Sequence, residues 1–215
     1  MPTFPVGLLR DLPPKRVMRA QVSGQDLVVW RATNGDISAW DNRCPHRGMA
    51  LSHGFVRGNA LACLYHGWHY GSTGVCSLIP AHPELEPPAT IKTTTFSVTE
   101  QDGVVWVSLD GPADPHPMPT AMCPLRTFVV DADPMAFRTA SLNTALQDQM
   151  PTLVETGLYR IGDMHIACLE NPLDGGRTQI TALAHADATP EQCSALSRWC
   201  EAVARLATRS AEVAA

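Results

Sequence analysis

Two short stretches of this 215-residue chain could do metal chemistry: Cys44-Pro45-His46-Arg47-Gly48 and Cys63-Leu64-Tyr65-His66-Gly67-Trp68. As a pattern they read C-x-H, sixteen residues, C-x2-H. Each half offers one thiolate and one imidazole. An all-thiolate two-iron, two-sulfide site needs four cysteines, and here there are two. Two imidazoles in place of two thiolates on one iron complete the set. Cys44 and Cys63 would then hold one iron, and His46 and His66 the other. Two Cys and two His also suit a tetrahedral structural zinc. Zinc-finger sites usually keep the two Cys in one half and the two His in the other, whereas each half here is mixed, which suits two irons bridged by sulfide. The plainest alternative is two turn-rich hairpins with incidental Cys and His.

Such loops need rigid hairpins beneath them. Val17 to Val22 can begin a sheet. Gln25 to Trp30 and Asp36 to Trp40 flank Asn34-Gly35, a strong hairpin signal. The first loop spans residues 43–52. Gly54 to Leu64 reads as a hairpin around Arg57-Gly58-Asn59, and the second loop spans residues 63–70. Gly71 to Gly74 is a further turn, and Ile91 to Val98 and Val104 to Leu109 close the set around Gln101-Asp102-Gly103. Many short strands joined by turns imply an antiparallel β domain, with the four donors at the tips of two hairpins. Gly48 and Gly67 follow the histidines, where a loop must bend closely, and Pro45 stiffens the first loop.

The stretch from about Val29 to Leu109 resembles the Rieske domain of the non-haem ring-hydroxylating and demethylating oxygenases. CPHRGMALSHG, CLYHGWHY, GVC and IPAHPE stand in that family's order. The resemblance covers roughly the first half of the chain. It implies a Rieske-type [2Fe-2S] cluster on Cys44, His46, Cys63 and His66, carrying single electrons at roughly −150 to +300 mV. Quinol-oxidising Rieske proteins carry two further cysteines in a disulfide, and Met49 and Tyr65 stand at the equivalent positions here. Those proteins also place a serine two residues after the second His ligand. Trp68 holds that place, with Tyr70 still available, so the expected potential is near the low end. In the family, electrons leave by the imidazole edges toward a carboxylate of a neighbouring subunit. Arg47 reads either as a docking charge or as an ordinary surface arginine. Trp68 and His69 would shield the centre, and Met49 and Leu51 would pack the first loop.

Gly111 to Pro119 holds four prolines in nine residues and cannot continue a helix or a sheet interior. It divides the chain into a cluster domain at 1–110, a linker at 111–119, in which His116 reads as a solvated loop residue, and a second domain at 120–215. In that second domain Arg126 to Val130, Phe137 to Leu142, Glu155 to Ile161, Met164 to Glu170 and Thr178 to His185 read as strands, with a turn over Asn171 to Gly176. Thr189, Pro190 and Gln192 mark the start of a long helix, with Leu196, Trp199, Cys200, Val203, Ala204 and Leu206 on one face. The fold class is α+β, mainly antiparallel β: a Rieske β domain followed by what would be a shortened helix-grip domain.

Family oxygenases bind a second, mononuclear iron through two His and one carboxylate, on a pattern like N-x2-D-x2-H-x4-H. After residue 120 the only histidines are His165 and His185, and Asn143 to Gln149, where that helix belongs, has none. A mononuclear iron is therefore not expected. His165 and His185 could still face each other across two strands, with Asp163 or Asp187 nearby, or be two half-exposed histidines on a sheet.

The net charge of −5 and the lack of a basic run give no reason to expect nucleic-acid binding. No apolar run reaches the length of a membrane span, and the N-terminus shows no secretory signal. Cys76, Cys123, Cys168, Cys193 and Cys200 remain as thiols, which points to a reducing cytoplasm. The expected function is one-electron transfer as a protein or subunit of an oxygenase-type system. Its donor would be a reductase or ferredoxin and its acceptor an oxygenase subunit, in a homo- or hetero-oligomer. The alternatives are a compact oxygenase with a non-standard iron site, and a non-redox structural or regulatory paralogue.

Overall fold

The computed structural model describes residues 2–115, 118 and 120–214. Residue contacts divide them into two units. Leu9–Thr99 and Trp106–Asp114 make up most of the first; Phe4–Leu8, Glu100–Val105 and Pro115–Ala215 make up the second. His116, Pro117 and Pro119 of the expected linker lie outside the described residues.

The chain opens with β1 (Phe4–Leu8), which groups with the second unit. The first unit begins with three antiparallel strands in tight register: β2 (Val17–Val22), β3 (Gln25–Arg31) and β4 (Ile37–Asp41). The turn from β3 to β4 is fixed locally, because the Asn34 side-chain oxygen accepts the Asp36 N–H at 3.2 Å. A smaller sheet runs in the order β5 (Phe55–Arg57), β6 (Ala60–Ala62), β7 (His69–Gly71) and β8 (Cys76–Leu78). β9 (Thr95–Gln101) and β10 (Val104–Ser108) form the hairpin expected around Asp102-Gly103, and β9 returns to pair with β4. Trp30, Trp40, Leu51, Leu61 and Tyr70 fill the core of this unit, which extends to Cys44 and Cys63 themselves.

In the second unit, β11 (Met122–Val130) is followed by α1 (Pro134–Leu142), then β12 (Thr152–Glu155), β13 (Leu158–Ile161), β14 (Met164–Leu173), β15 (Arg177–His185) and α2 (Pro190–Ala214). The sheet order is β11-β15-β14-β13-β12, all antiparallel. Ile166 and Cys168 of β14, with Ile180, Ala182 and Ala184 of β15, present one face to Leu196, Trp199, Cys200 and Val203 of α2. Period-2 strands thus meet a period-3.6 helix along a single apolar stripe. The capping box at the start of α2 is formed: Gln192 N–H donates to Thr189 Oγ1 at 3.3 Å, and Thr189 N–H donates to Gln192 Oε1 at 2.9 Å.

Several expectations change. Asn171 to Leu173, expected in a turn, continue β14, because they pair with Gln179, Thr178 and Arg177 of β15. Phe137 to Leu142 is helix, not strand, because the Asp133 carboxylate caps it, accepting the Ala136 N–H at 2.8 Å, and Pro134 stands in the first turn. Glu155 to Ile161 is two strands, since Gly157 turns the chain with φ +81°. On α2 the buried stripe runs through Val203 to Ala207, and Leu206, off that stripe, is 38% exposed.

Candidate metal centre

The two loops share one backbone design. Cys44 N–H donates to Met49 O at 2.8 Å and Gly48 N–H to Cys44 O at 2.8 Å. In the second loop Cys63 N–H donates to Trp68 O at 2.9 Å and Gly67 N–H to Cys63 O at 3.0 Å. Both closures require a left-handed residue, and both hold glycine, with φ +74° at Gly48 and +70° at Gly67. A Cβ on Gly67 would also meet Pro80 Cγ at 3.2 Å. Asn42, a residue the sequence reading passed over, secures the first loop at its base. Its amide donates to Asp26 Oδ2 and Ser52 Oγ, both at 3.0 Å, and its oxygen accepts the Ser52 N–H at 2.7 Å.

This design brings the four donors together as pairs. Cys44 and Cys63 are buried side by side. The His46 and His66 rings lie 4.6 Å apart, inclined at 61°. His46 stacks on Trp68 at 4.1 Å and 7°, so Trp68 covers one face of this ring. His66 is exposed, with Tyr65 tilted over it at 3.9 Å. Leu51 is fully buried and Met49 packs on the core. Among the described residues no three His, Cys, Asp or Glu converge on a single ion-sized point. A two-iron cluster asks for two pairs of donors instead, one thiolate pair and one imidazole pair.

The local electrostatics fit that division. Burial pushes the Cys63 thiol up, and the facing Cys44 adds to it, while the backbone N–H groups of Tyr65 and His66 pull the other way by facing the sulfur. The Tyr70 hydroxyl lies 3.2 Å from Cys44 Sγ. Burial, with the thiols around it, holds Tyr70 far above the usual phenol range, so it keeps a proton to donate to a metal-bound thiolate. Partial burial lowers His46, helped by His66 and Arg47. This favours the neutral imidazole that binds metal.

A family model describing the Rieske [2Fe-2S] domain matches residues 3–98. Residues 3–98 are a Rieske [2Fe-2S] domain. The group that a Rieske domain holds is a [2Fe-2S] cluster. The chain is 40% identical over 139 residues to oxidoreductase NdmD of Pseudomonas putida, covering 60% of this chain and 24% of that protein. It is 40% identical over 115 residues to the 4beta-methylsterol monooxygenase of Methylococcus capsulatus, covering 51% of this chain and 31% of the relative. The chain therefore spans well under half the length of these curated relatives. Its fold matches that of Pseudomonas putida NdmA with a TM-score of 0.74 at 21% identity, over 97% of this chain and 80% of that one. The fold likeness thus extends past the Rieske domain into the sheet and helices of the second unit.

Asn143 to Gln149 is not helical. α1 ends at Leu142, and Leu146 and Gln149 exchange both backbone hydrogen bonds, at 2.9 and 3.0 Å. Gln147 and Asp148 between them are left-handed, with φ +51° and +63°, as in a two-residue hairpin turn. His165 and His185 fall opposite each other, one step beyond the pair Ile166–Ala184. His185 Nε2 is buried without a hydrogen-bond partner. No helix of the described residues is long and apolar enough to cross a membrane.

Proposed function

We propose that this chain is a Rieske one-electron transfer protein or subunit of an oxygenase-type oxidoreductase system. In this reading Cys44 and Cys63 hold one iron and His46 and His66 the other. The observation that carries it is the buried thiol pair beside two imidazoles 4.6 Å apart. When bound, the cluster supplies reversible one-electron chemistry. The residues set how that is used. Tyr70 and the N–H groups of Tyr65 and His66 offer hydrogen bonds to cysteine sulfur, which tune the potential. Trp68 keeps water from the face of His46, and the exposed His66 edge gives the shorter path to a partner.

The donor in this account is a reductase or ferredoxin, and the acceptor is an oxygenase subunit. The domains are 1–110, a linker at 111–119, and a helix-grip-like domain at 120–215. The five thiols outside the proposed ligand pair suit a reducing cytoplasm. A reductive titration tests the function: dithionite should deliver one electron per chain, and uptake of none would contradict it. The second reading, a compact oxygenase, has the opposed His165 and His185 and the unpartnered Nε2 in its favour. It requires a third iron per chain and loss of oxygen uptake in His165→Ala.

A further inference from the structure

The chain as a whole is acidic, with a net charge of −5, yet residues 42–83 contain no Asp or Glu. They carry Arg43, Arg47 and Arg57. Both candidate ligand loops lie in this stretch. A cleft of about 290 Å³ opens beside the first loop, walled by Arg43, Arg47, Lys92 and the ring of His46. Arg43, Arg47 and Lys92 are exposed, and none of them takes part in an ion pair among the described residues. The one acid in the wall, Asp41, accepts a hydrogen bond from the Gln25 amide at 3.1 Å. Three cations against one carboxylate leave the cleft positive.

At the second loop, next to the exposed His66, Leu64 is 54% and Tyr65 60% exposed. An apolar contact beside the redox edge, with unpaired cations close to it, is the anatomy of a surface that meets another protein: apolar groups pack at the centre and charges at the rim steer the approach. A small anion would have no use for Leu64 and Tyr65.

We propose that this face of the Rieske domain docks an acidic electron-donating protein, with surface carboxylates entering the cleft of Arg43, Arg47 and Lys92 and apolar side chains resting on Leu64 and Tyr65. It rests on the one-electron reading above and adds the chemistry of the partner. The transfer balances simply: the donor loses one electron, the Rieske centre gains it, and no proton or group moves.

The test uses the full chain, with an acidic plant-type ferredoxin as probe and basic cytochrome c as counter-probe. Binding is followed by titration calorimetry at low and at physiological salt, and electron delivery from reduced ferredoxin by stopped-flow absorbance. Ferredoxin should bind better at low salt and cytochrome c should not bind. Arg47→Glu/Lys92→Glu should weaken ferredoxin binding and slow electron delivery by about tenfold or more at low salt, while its cluster absorbance and the final number of electrons taken up from excess dithionite stay as in the wild type. Tyr65→Ser should weaken binding at both salt levels. Unchanged binding in the charge-reversal variant would overturn the proposal, as would cytochrome c binding as well as ferredoxin. Displacement of ferredoxin by inorganic phosphate at matched ionic strength would overturn it too, by showing a small-anion site. Failure of the one-electron reading would show separately, as a preparation without cluster absorbance, and the calorimetry needs no cluster to decide the docking.

Discussion

The Tyr70 hydroxyl lies 3.2 Å from Cys44 Sγ, inside the core of the Rieske domain. A thiolate bound to iron can only accept, so the phenol must donate. A donated hydrogen bond stabilises the more negative, reduced state. Tyr70→Phe should therefore keep the cluster and lower its midpoint. A neutral hydrogen bond is worth about 1 kcal/mol, or roughly 40 mV for one electron. Protein-film voltammetry on the two proteins checks this, and an unchanged or raised midpoint would refute the assigned donor.

Arg138 of α1 grips Glu170 of β14 as a fork, with Nε at 2.9 and 3.0 Å from the two carboxylate oxygens and Nη2 at 2.6 Å from one of them. The Glu170 side chain is only 9% exposed and that of Arg138 41%. This geometry places the pair above an ordinary surface bridge and below a buried one. Glu170→Ala should destabilise the second unit by about 1–3 kcal/mol, read as a lower urea midpoint. Loss of less than a few tenths would show that solvent screens the pair.

Burial pushes the Tyr159 hydroxyl up to about 12, against about 10 in an unfolded chain. The folded state holds this proton more tightly. Its contribution to stability is therefore complete below about pH 10 and is lost as pH rises toward 12. Cys168, held up by the facing Cys200 and by burial, acts in the same direction from nearer pH 9. Denaturation at rising pH should show stability flat with respect to these groups up to about pH 9 and falling beyond it. The Tyr159 hydroxyl is buried without a hydrogen bond, and the nearby Ser141 hydroxyl, which donates to Phe137 O, can donate to the phenolate only by giving up that bond. Tyr159→Phe should be neutral to about 1 kcal/mol stabilising at pH 7 and should flatten the alkaline decline.

The Thr189–Gln192 box satisfies two otherwise free N–H groups at the start of α2. Thr189→Ala should cost about 1 kcal/mol. Thermal unfolding followed by circular dichroism checks this, and an unchanged midpoint would mean that α2 is held by packing alone.

Much of this was legible in the residues. The hairpin at Asn34-Gly35 and the box at Thr189 are local devices whose chemistry lies within a few positions, so they read directly. The pairing of His46 with His66 was legible for a different reason, since metal ligation restricts residue type and spacing. Most of what could not be read depended on contacts distant in sequence. One exception is local: Phe137 to Leu142 mixes apolar and polar residues and suits either a strand or a short helix, and the Asp133 cap with Pro134 just upstream decides it. Leu206 is apolar, yet it lies off the stripe of Leu196, Trp199, Cys200, Val203 and Ala207 that faces the sheet, and composition alone does not mark that edge. Asn42 earned no notice because its partners, Asp26 and Ser52, are 16 and 10 residues away.

The most direct measurement is the iron, acid-labile sulfide and zinc content of the purified chain, taken with the paramagnetic resonance spectrum of its reduced form. The account predicts two irons and two sulfides per chain, no zinc, and a reduced-state signal that disappears in His66→Ala. One zinc per chain with no sulfide, or a colourless protein after anaerobic reconstitution with iron and sulfide, would contradict it.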